Sequence, residues 1–133
     1  MMRLLHDRTG ADIATAVTLA DTRASRRRGL LGRDSMDEGE ALMLSPCAAV
    51  HTFFMRFAID VIFVDRDSRV VRTVSRLRPW RIAVAWRARS VIELPAGWLE
   101  SLARRGAAGD GGHAVNVGDQ VYLAPVREER RAS

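Results

Sequence analysis

Cys47 and His51 are the side chains of this sequence best suited to covalent or metal chemistry, and three residues separate them. A nearby histidine can lower the pKa of a thiol and make it nucleophilic, and the two residue types together can begin a metal site. This spacing brings two side chains together on a helix, but Pro46 and the strand-like sequence after it argue against a helix here. The favoured interpretation is a small core cysteine beside a hydrogen-bonded histidine, and a reactive thiol is the alternative.

Asp60 lies inside an apolar run, Ile59–Val64, that is typical of a strand buried on both faces. An ionised carboxylate in such a strand is unfavourable unless it is paired or hydrogen-bonded. Its candidate partners are the arginines Arg28, Arg33 and Arg56, or the backbone amides of a neighbouring loop. The favoured interpretation is a buried clamp paired with an arginine, and the alternative is an acid whose raised pKa marks a functional site.

Met55 stands among three phenylalanines, Phe53, Phe54 and Phe57, which could together line an apolar pocket. Aromatic residues in consecutive strand positions more often form ordinary core. The alternation of a strand places Phe53 and Met55 on one face and Phe54 on the other, so both faces would be apolar. We therefore expect this segment to be a strand that crosses the centre of the domain.

Glu93 lies just before Pro95, at which a helix is expected to begin. A carboxylate in this position can accept hydrogen bonds from the free amides of the first turn and interacts favourably with the helix dipole. The same helix start could instead bind an anion, and Glu93 would then be a poor neighbour. Capping of the helix, or an ion pair with an arginine, is the favoured interpretation.

The stretch from residue 76 to residue 89 combines several arginines with Trp80 and Trp86. Surfaces that bind single-stranded nucleic acid stack bases on aromatic side chains and neutralise phosphates with arginines. This stretch contains no known recognition motif, and arginine stacked on tryptophan also stabilises ordinary surfaces. Nucleic-acid binding is therefore a less favoured hypothesis.

The composition is that of a folded domain with a basic surface. The chain has 133 residues, of which 47% are hydrophobic, and a formal net charge of +5. All 21 lysine-or-arginine positions are arginine, so no lysine is available as a Schiff-base or general-base residue. The single cysteine excludes an internal disulfide. The first ten residues lack the apolar segment of a signal peptide, and no apolar run is long enough to span a membrane, which predicts a cytoplasmic protein.

The common catalytic motifs are missing from the sequence. It contains no nucleophile elbow, phosphate-binding loop, dinucleotide-binding glycine motif, zinc-protease motif or Cys-x2-Cys pair. We therefore expect no cofactor and no metal site.

Apolar runs and turn residues predict many short strands and two short helices. The turn sequences Asp7-Arg8-Thr9-Gly10 and Asp65-Arg66-Asp67-Ser68 each predict a hairpin. The predicted strands are Arg3–His6, Ala14–Ala20, Val50–Phe54, Ile59–Asp65, Arg69–Ser75, Ile82–Trp86, Ser90–Leu94 and Gln120–Leu123, with a further apolar run at Ala41–Leu44. One helix is predicted over Arg23–Leu31, with Asp21 or Thr22 as its cap and Gly32 at its end. A second is predicted from Pro95 through Arg104, ended by Gly106.

These elements predict an α+β domain that is predominantly β. Many short strands without alternating helices favour a small, partly closed antiparallel β-barrel with two short helices, because closure avoids long exposed edges. The domain is expected to span residues 1–125. Residues 126–133 form a charged tail with nothing to bury, and we expect it to be disordered.

Four segments together carry a resemblance to a known family. They are Gly29-Leu30-Leu31-Gly32-Arg33, the block from His51 to Arg56 that runs into Ile59–Phe63, Glu93-Leu94-Pro95-Ala96-Gly97, and Gly118-Asp119. Their order and spacing resemble those of the domain-of-unknown-function 192 family over roughly residues 18–122. The resemblance implies a compact β-rich fold and no established activity. Family members often carry an acid in the first turn of the early helix, where this chain has Ser25-Arg26-Arg27-Arg28.

The residues together favour a non-catalytic accessory module that binds a small ligand or a protein partner. Its candidate pocket residues are Arg33, His51, Met55, Arg56, Asp60 and Glu93. An enzyme that uses Cys47 and His51 on an anionic substrate is the first alternative, and weak single-stranded nucleic-acid binding through residues 76–89 is the second. We expect a monomer without a membrane span, and we do not expect a nucleic acid to be its partner.

Overall fold

The computed structural model describes residues 1–110 and 112–126 and consists mainly of one curled sheet. The strands are β1 (Met2–His6), β2 (Asp12–Ala20), β3 (Glu40–Leu44), β4 (Ala49–His51), β5 (Ile59–Val64), β6 (Val70–Leu77), β7 (Ile82–Val84), β8 (Ser90–Pro95) and β9 (Val121–Pro125), and the helices are α1 (Arg23–Arg28) and α2 (Trp98–Ala108). Seven strands pair in the order β6-β5-β8-β3-β2-β1-β9, and β4 pairs with β7 separately. The predicted β-dominated α+β fold is confirmed. The predicted tail lies outside the described residues, apart from Val126.

Two antiparallel hairpins form where the turn sequences predict them. β1 pairs with β2, and β5 pairs with β6. In the second turn the Asp65 side chain accepts hydrogen bonds from the backbone N–H groups of Asp67 (2.9 Å) and Arg69 (3.0 Å). An aspartate that bonds the backbone two residues ahead favours a tight turn, which explains why this hairpin was readable from the sequence.

Backbone hydrogen bonds join the two edge strands of the sheet at one end. The N–H of Val70 in β6 donates to the carbonyl of Asp119 (2.8 Å), and the N–H of Val121 in β9 donates to the carbonyl of Ser68 (3.0 Å). The pairing of β2 with β3 is parallel, with α1 in the connection between them, while the other strand pairs in the described chain are antiparallel. The sheet is thus a half-barrel whose edges are partly covered.

The sheet is buried on both faces, and each face has its own core. Strand β5 lies near the middle and is buried at every position, as its sequence predicts. Its alternate side chains divide between two clusters. The first cluster lies under α2 and includes Leu4, Ile62, Val64, Ile92, Leu94, Trp98 and Leu102. The second lies under α1 and the β4–β7 pair and includes Leu30, Leu42, Leu44, Val50, Met55, Val61, Phe63 and Val91.

The predicted strand through Phe53 and Met55 is wrong, because β4 ends at His51 and a turn follows. The buried hydroxyl of Thr52 donates to the carbonyl of Arg78 (2.6 Å) and accepts from the N–H of Arg81 (2.9 Å). These bonds tie the turn to the segment between β6 and β7. Met55 is buried, but Phe54 has a φ of 66° and is 71% exposed.

Both helices differ from their predicted limits by a few residues. Thr22, one of the two predicted caps, caps α1 in a capping box with Ser25. The helix ends at Arg28 rather than Leu31, because the φ of 47° at Gly29 takes the chain out of the helix. Pro95 continues β8, and α2 begins after Gly97, which has a left-handed φ of 85°. Its C-cap is Gly109. Neither helix of the described chain is long and apolar enough to cross a membrane.

Candidate functional site

A cavity of about 340 Å³ opens between α1, the segment before β4 and the sheet, and we call it the Glu93 pocket. This volume is within the range of small-molecule sites. Its apolar lining includes Leu30, Leu31, Leu44, Val50 and Met55. Its polar side chains are Arg26, Arg27, Arg28, Cys47, His51 and Glu93.

Glu93 faces this pocket because of its position in β8. Its register partners are Leu42 in β3 and Val61 in β5, so the carboxyl group emerges over an apolar part of the sheet. The residue is 6% exposed, and its Oε2 has no hydrogen-bond partner among residues 1–110 and 112–126. Burial raises the pKa of this carboxyl group to about 7. The group therefore exchanges its proton near neutral pH.

The basic rim of the pocket comes from α1. No side chain of this helix is buried, so the helix lies on the surface and its first core contact is Leu30, just after it. The Nη1 of Arg26 donates to the carbonyls of Asp21 (2.8 Å) and Ser45 (3.4 Å). Arg27 and Arg28 are exposed and form no ion pair within the described part of the chain. Their guanidinium groups are therefore available to an anion.

Cys47 and His51 both line the pocket, but they do not lie on a helix. The Cys47 Sγ donates to the carbonyl of Ala49 at 3.0 Å. His51 is exposed at the end of β4, and its ring stacks on that of Phe53 with 5.1 Å between centroids. The arrangement places a thiol, an imidazole and a carboxyl group around one cavity.

Asp60 lies on the other face of the sheet, under α2. It pairs in register with Leu94, so its side chain points opposite to that of the neighbouring Glu93. The Oδ1 of Asp60 accepts from the N–H groups of Arg76 (2.8 Å) and Gly97 (3.1 Å), and its Oδ2 accepts from that of Leu99 (2.9 Å). The expected arginine side-chain partner is wrong, because backbone amides satisfy the carboxylate. Asp60, rather than Glu93 as predicted, therefore holds the first turn of α2.

Arg33 and Arg56 do not line the Glu93 pocket. Arg33 forms a two-pronged ion pair with Glu40, in which its Nη2 donates to Oε2 at 3.0 Å. The Nη1 of Arg56 donates to Asp34 at 2.7 Å, and both side chains are largely exposed. Of the six predicted pocket residues, the structure brings together only His51, Met55 and Glu93.

An exposed row of aromatic rings begins at His51, at the mouth of the pocket. Phe53 lies between His51 and Trp80, with 5.8 Å between the Phe53 and Trp80 centroids, and Phe54 follows at 4.7 Å from Trp80. Trp80 shares the positive φ of Phe54, at 66°. Trp80 and Trp86 are 55% and 94% exposed, so the arginine-rich stretch presents aromatic surface. Nucleic-acid binding by this stretch stays the less favoured hypothesis.

Sequence reasoning missed the part of the pocket that comes from α1 and the residues just after it. The sequence could predict that this helix lies on the surface, because the arginines Arg26–Arg28 leave it only a thin apolar face. The sequence did not indicate which part of the sheet that helix covers. The position of α1 depends on the parallel pairing of β2 and β3, because α1 lies in the connection between these two strands.

The family comparison covers most of the chain. The sequence model of the domain-of-unknown-function 192 family, described as "Uncharacterized ACR", matches residues 5–107. A UPF0127 protein of Pyrococcus furiosus is 35% identical over 124 residues, which are 89% of this chain and 95% of that protein. A UPF0127 protein of Pyrococcus horikoshii is 52% identical over 56 residues, which are 41% of this chain and about half, 48%, of that protein.

A solved structure supports the same fold. A protein of unknown function from Novosphingobium aromaticivorans aligns with a TM-score of 0.69 at 22% identity. The alignment covers 91% of this chain and 82% of that one. At this identity the likeness concerns the fold alone.

Proposed function

The chain belongs to the domain-of-unknown-function 192 family, and we propose that it is a non-catalytic binding module whose Glu93 pocket holds a small amphipathic molecule. The observation that carries the proposal is the Oε2 of Glu93, which is buried at the pocket without a hydrogen-bond partner in the described chain. A buried polar atom without a partner is unfavourable, and a ligand that donates a hydrogen bond to it removes that cost.

The apolar lining defines the body of the ligand. Leu30, Leu44 and Met55 line the same cavity as the Glu93 carboxyl group, and their side chains offer no hydrogen bonds. A hydrophobic or aromatic ring system of modest size fits a cavity of about 340 Å³. The ligand therefore needs an apolar body with one hydrogen-bond donor that reaches Glu93.

The rim defines the other end of the ligand. Arg27 and Arg28 are exposed, line the pocket and have no acidic partner in the described residues. Guanidinium groups bind carboxylates and phosphates through paired hydrogen bonds. We assign an anionic group of the ligand to this rim. All of these residues come from one chain, so the pocket needs no second copy of the protein. The proposal keeps the monomeric state and the cytoplasmic location as expectations from the sequence.

Titration with 8-anilinonaphthalene-1-sulfonate, followed by fluorescence, tests the proposal. This probe combines an apolar ring system, an N–H donor and a sulfonate. We expect the double variant Arg27→Gln/Arg28→Gln to weaken its binding about tenfold, because two charged contacts are lost. The matched control Arg66→Gln/Arg104→Gln removes the same charge from exposed positions elsewhere and should leave the Kd within about twofold.

A blocking variant locates the binding. Ala49 is exposed and lines the pocket, so Ala49→Trp should fill the mouth and abolish probe binding, whereas Ala103→Trp on the exposed side of α2 should not. Equal binding by the wild type, the rim double variant and Ala49→Trp would show that the pocket is not the site.

A second candidate function is an enzyme in which Cys47 and His51 act on an anionic substrate. It is favoured by one observation, the buried carboxyl group of Glu93 that shares their pocket. Burial raises the pKa of this group to about 7, and such an acid suits general acid–base catalysis near neutral pH. Alkylation of Cys47 by iodoacetamide distinguishes the two. If the folded protein reacts faster than the urea-unfolded chain at pH 7, the enzyme is preferred over the binding module. Slower reaction is expected, since the thiol donates to the Ala49 carbonyl.

A further inference from the structure

A second cluster of chemically capable side chains lies away from the Glu93 pocket. His6 stands at the end of β1, and His113 and Asp119 belong to the segment between α2 and β9. One donor atom from each residue lies within 4.8 Å of the others. The rings of the two histidines are 4.1 Å apart between centroids.

His6 is the unexplained member of this cluster. It is 2% exposed, and neither of its ring nitrogens has a hydrogen bond of good geometry among the described residues. Its Nε2 lies 3.0 Å from the Oδ2 of Asp119, which is close enough for an ion pair but lacks hydrogen-bond alignment. A buried imidazole whose ring nitrogens make no aligned hydrogen bond is unfavourable, and a group that accepts a ring lone pair would reduce that cost.

The other two side chains are already oriented by hydrogen bonds to the backbone. The Nδ1 of His113 is 2.7 Å from the carbonyl of Ala114, so it must be the protonated nitrogen, and the Nε2 lone pair of the neutral ring is left free. The Oδ2 of Asp119 accepts from the N–H of Asn116 at 2.8 Å. Such second contacts fix the orientation of imidazole and carboxylate ligands in metal sites.

The loop that carries His113 is packed against α2 at a defined place. A Cβ on Gly112 would lie 2.5 Å from the Cβ of Arg105 and 2.9 Å from the carbonyl oxygen of Leu102, so only glycine fits there. A Cβ on Gly106 would approach the carbonyl of Gly112 to 3.1 Å. His113, the next residue, is therefore held close to His6 by backbone packing.

We propose that His6, His113 and Asp119 bind a divalent transition-metal ion, with Zn²⁺ as the best match. Two imidazoles and one carboxylate are a donor set that suits Zn²⁺ and Fe²⁺, whereas Ca²⁺ and Mg²⁺ take oxygen ligands. Tetrahedral ligands at about 2.0–2.1 Å from Zn²⁺ lie about 3.4 Å apart, so the half-buried His113 and Asp119 need to move by about 1 Å. Three protein ligands leave a fourth position for water or a further ligand.

An ion bound at this site would link distant parts of the sheet. His6 pairs in register with Val121 of β9, and the carbonyl of Asp119 accepts from the N–H of Val70 in β6. The ion would therefore join β1 to the loop at which the two edges of the sheet meet. Binding to the folded state alone raises the unfolding temperature.

Calorimetric titration of the tag-free, chelator-treated protein with Zn²⁺ tests the proposal. We expect one equivalent to bind, and a rise in Tm of about 10 °C when free Zn²⁺ is at a hundred times the Kd. Asp119→Asn and His113→Gln, at partly exposed positions, should each weaken binding by about tenfold or more. They keep the test valid even if a variant of the buried His6 fails to fold.

The matched control separates this site from the thiol and imidazole of the Glu93 pocket. The double variant Cys47→Ser/His51→Gln should bind Zn²⁺ as the wild type does, and Co²⁺ bound to the wild type should show no thiolate charge-transfer absorption. No binding by the wild type, unchanged affinity in both cluster variants, or loss of binding in the control would each overturn the proposal. A Tm that does not respond to Zn²⁺ would overturn it as well.

Discussion

Asp60 and Glu93 lie on the neighbouring strands β5 and β8, and both carboxyl groups are almost fully removed from water. Asp60 faces α2 and accepts hydrogen bonds from three backbone N–H groups. Glu93 faces the α1 side, and its Oε2 has no partner in the described chain. The comparison shows that burial of an acid in an apolar strand does not by itself identify a functional site. The role of each acid depends on how many hydrogen-bond donors the segments packed against it supply.

The two faces differ in what covers them. The start of α2 lies over Asp60, and the first turn of a helix has free N–H groups that a carboxylate can satisfy. On the other face, α1 contributes only pocket-lining residues, and its first turn is already capped by Thr22. The carboxyl group of Glu93 therefore meets side chains rather than amides, and burial raises its pKa to about 7.

The largest expected effect comes from Asp60→Asn. The amide retains one acceptor oxygen but turns an NH₂ group towards N–H donors, so at least one buried donor loses its partner and the charge-assisted bonds are lost. We expect the free energy of unfolding to fall by about 4 kcal/mol, measured by urea denaturation at pH 7.

The isosteric control is Glu93→Gln, which also replaces a buried carboxyl group by a carboxamide but on the α1 side of the sheet. It should not destabilise the protein at pH 7, because no hydrogen bond of Oε2 is lost. If the two substitutions cost the same, the contrast between the two carboxyl groups does not hold.

A smaller effect on the free energy of unfolding is expected from a change of pH, and it reports on Glu93 alone when the wild type is compared with Glu93→Gln. Its pKa rises from the ordinary 4.5 to about 7 on folding, so between these values the folded state binds more protons than the unfolded one. The contribution of Glu93 to the free energy of unfolding is therefore fully present below pH 4.5. It is lost as the pH rises through 7, by about 3 kcal/mol in total. The difference in unfolding free energy between Glu93→Gln and the wild type should grow by this amount from pH 4.5 to pH 8. A pH-independent difference would contradict the raised pKa.

The smallest expected effect on stability comes from removing the N-cap of α1. Thr22→Ala removes the side-chain cap of α1, which should cost about 1 kcal/mol of local helix stability. Because α1 buries no side chain, global unfolding should hardly change, and faster amide exchange should be confined to residues 23–28. Exchange that spreads into α2 or the sheet would show that the two covers are coupled.

Much of the fold was predictable because it depends on local patterns. The run Ile59–Val64 is buried on both faces, the Asp65 turn forms its hairpin, and Thr22 caps α1, as expected. The strand expected through Phe53 was not predictable, because the hydrogen bonds of Thr52 to residues about 26 to 29 positions away replace it with a turn. Alternation alone cannot reveal a distant partner for a buried hydroxyl.

The sequence alone established that Asp60 is an acid in a doubly buried strand and that Glu93 is a candidate site residue. Only the tertiary structure decided which of the two lines the pocket, because side chains alternate between faces and the register of β5 with β8 sends these two in opposite directions. It also decided that His6, a residue without any local motif, lies beside His113 and Asp119, more than 100 positions away in the chain. Local residue types determine which groups are chemically capable, and the pairing of distant strands determines which of them meet.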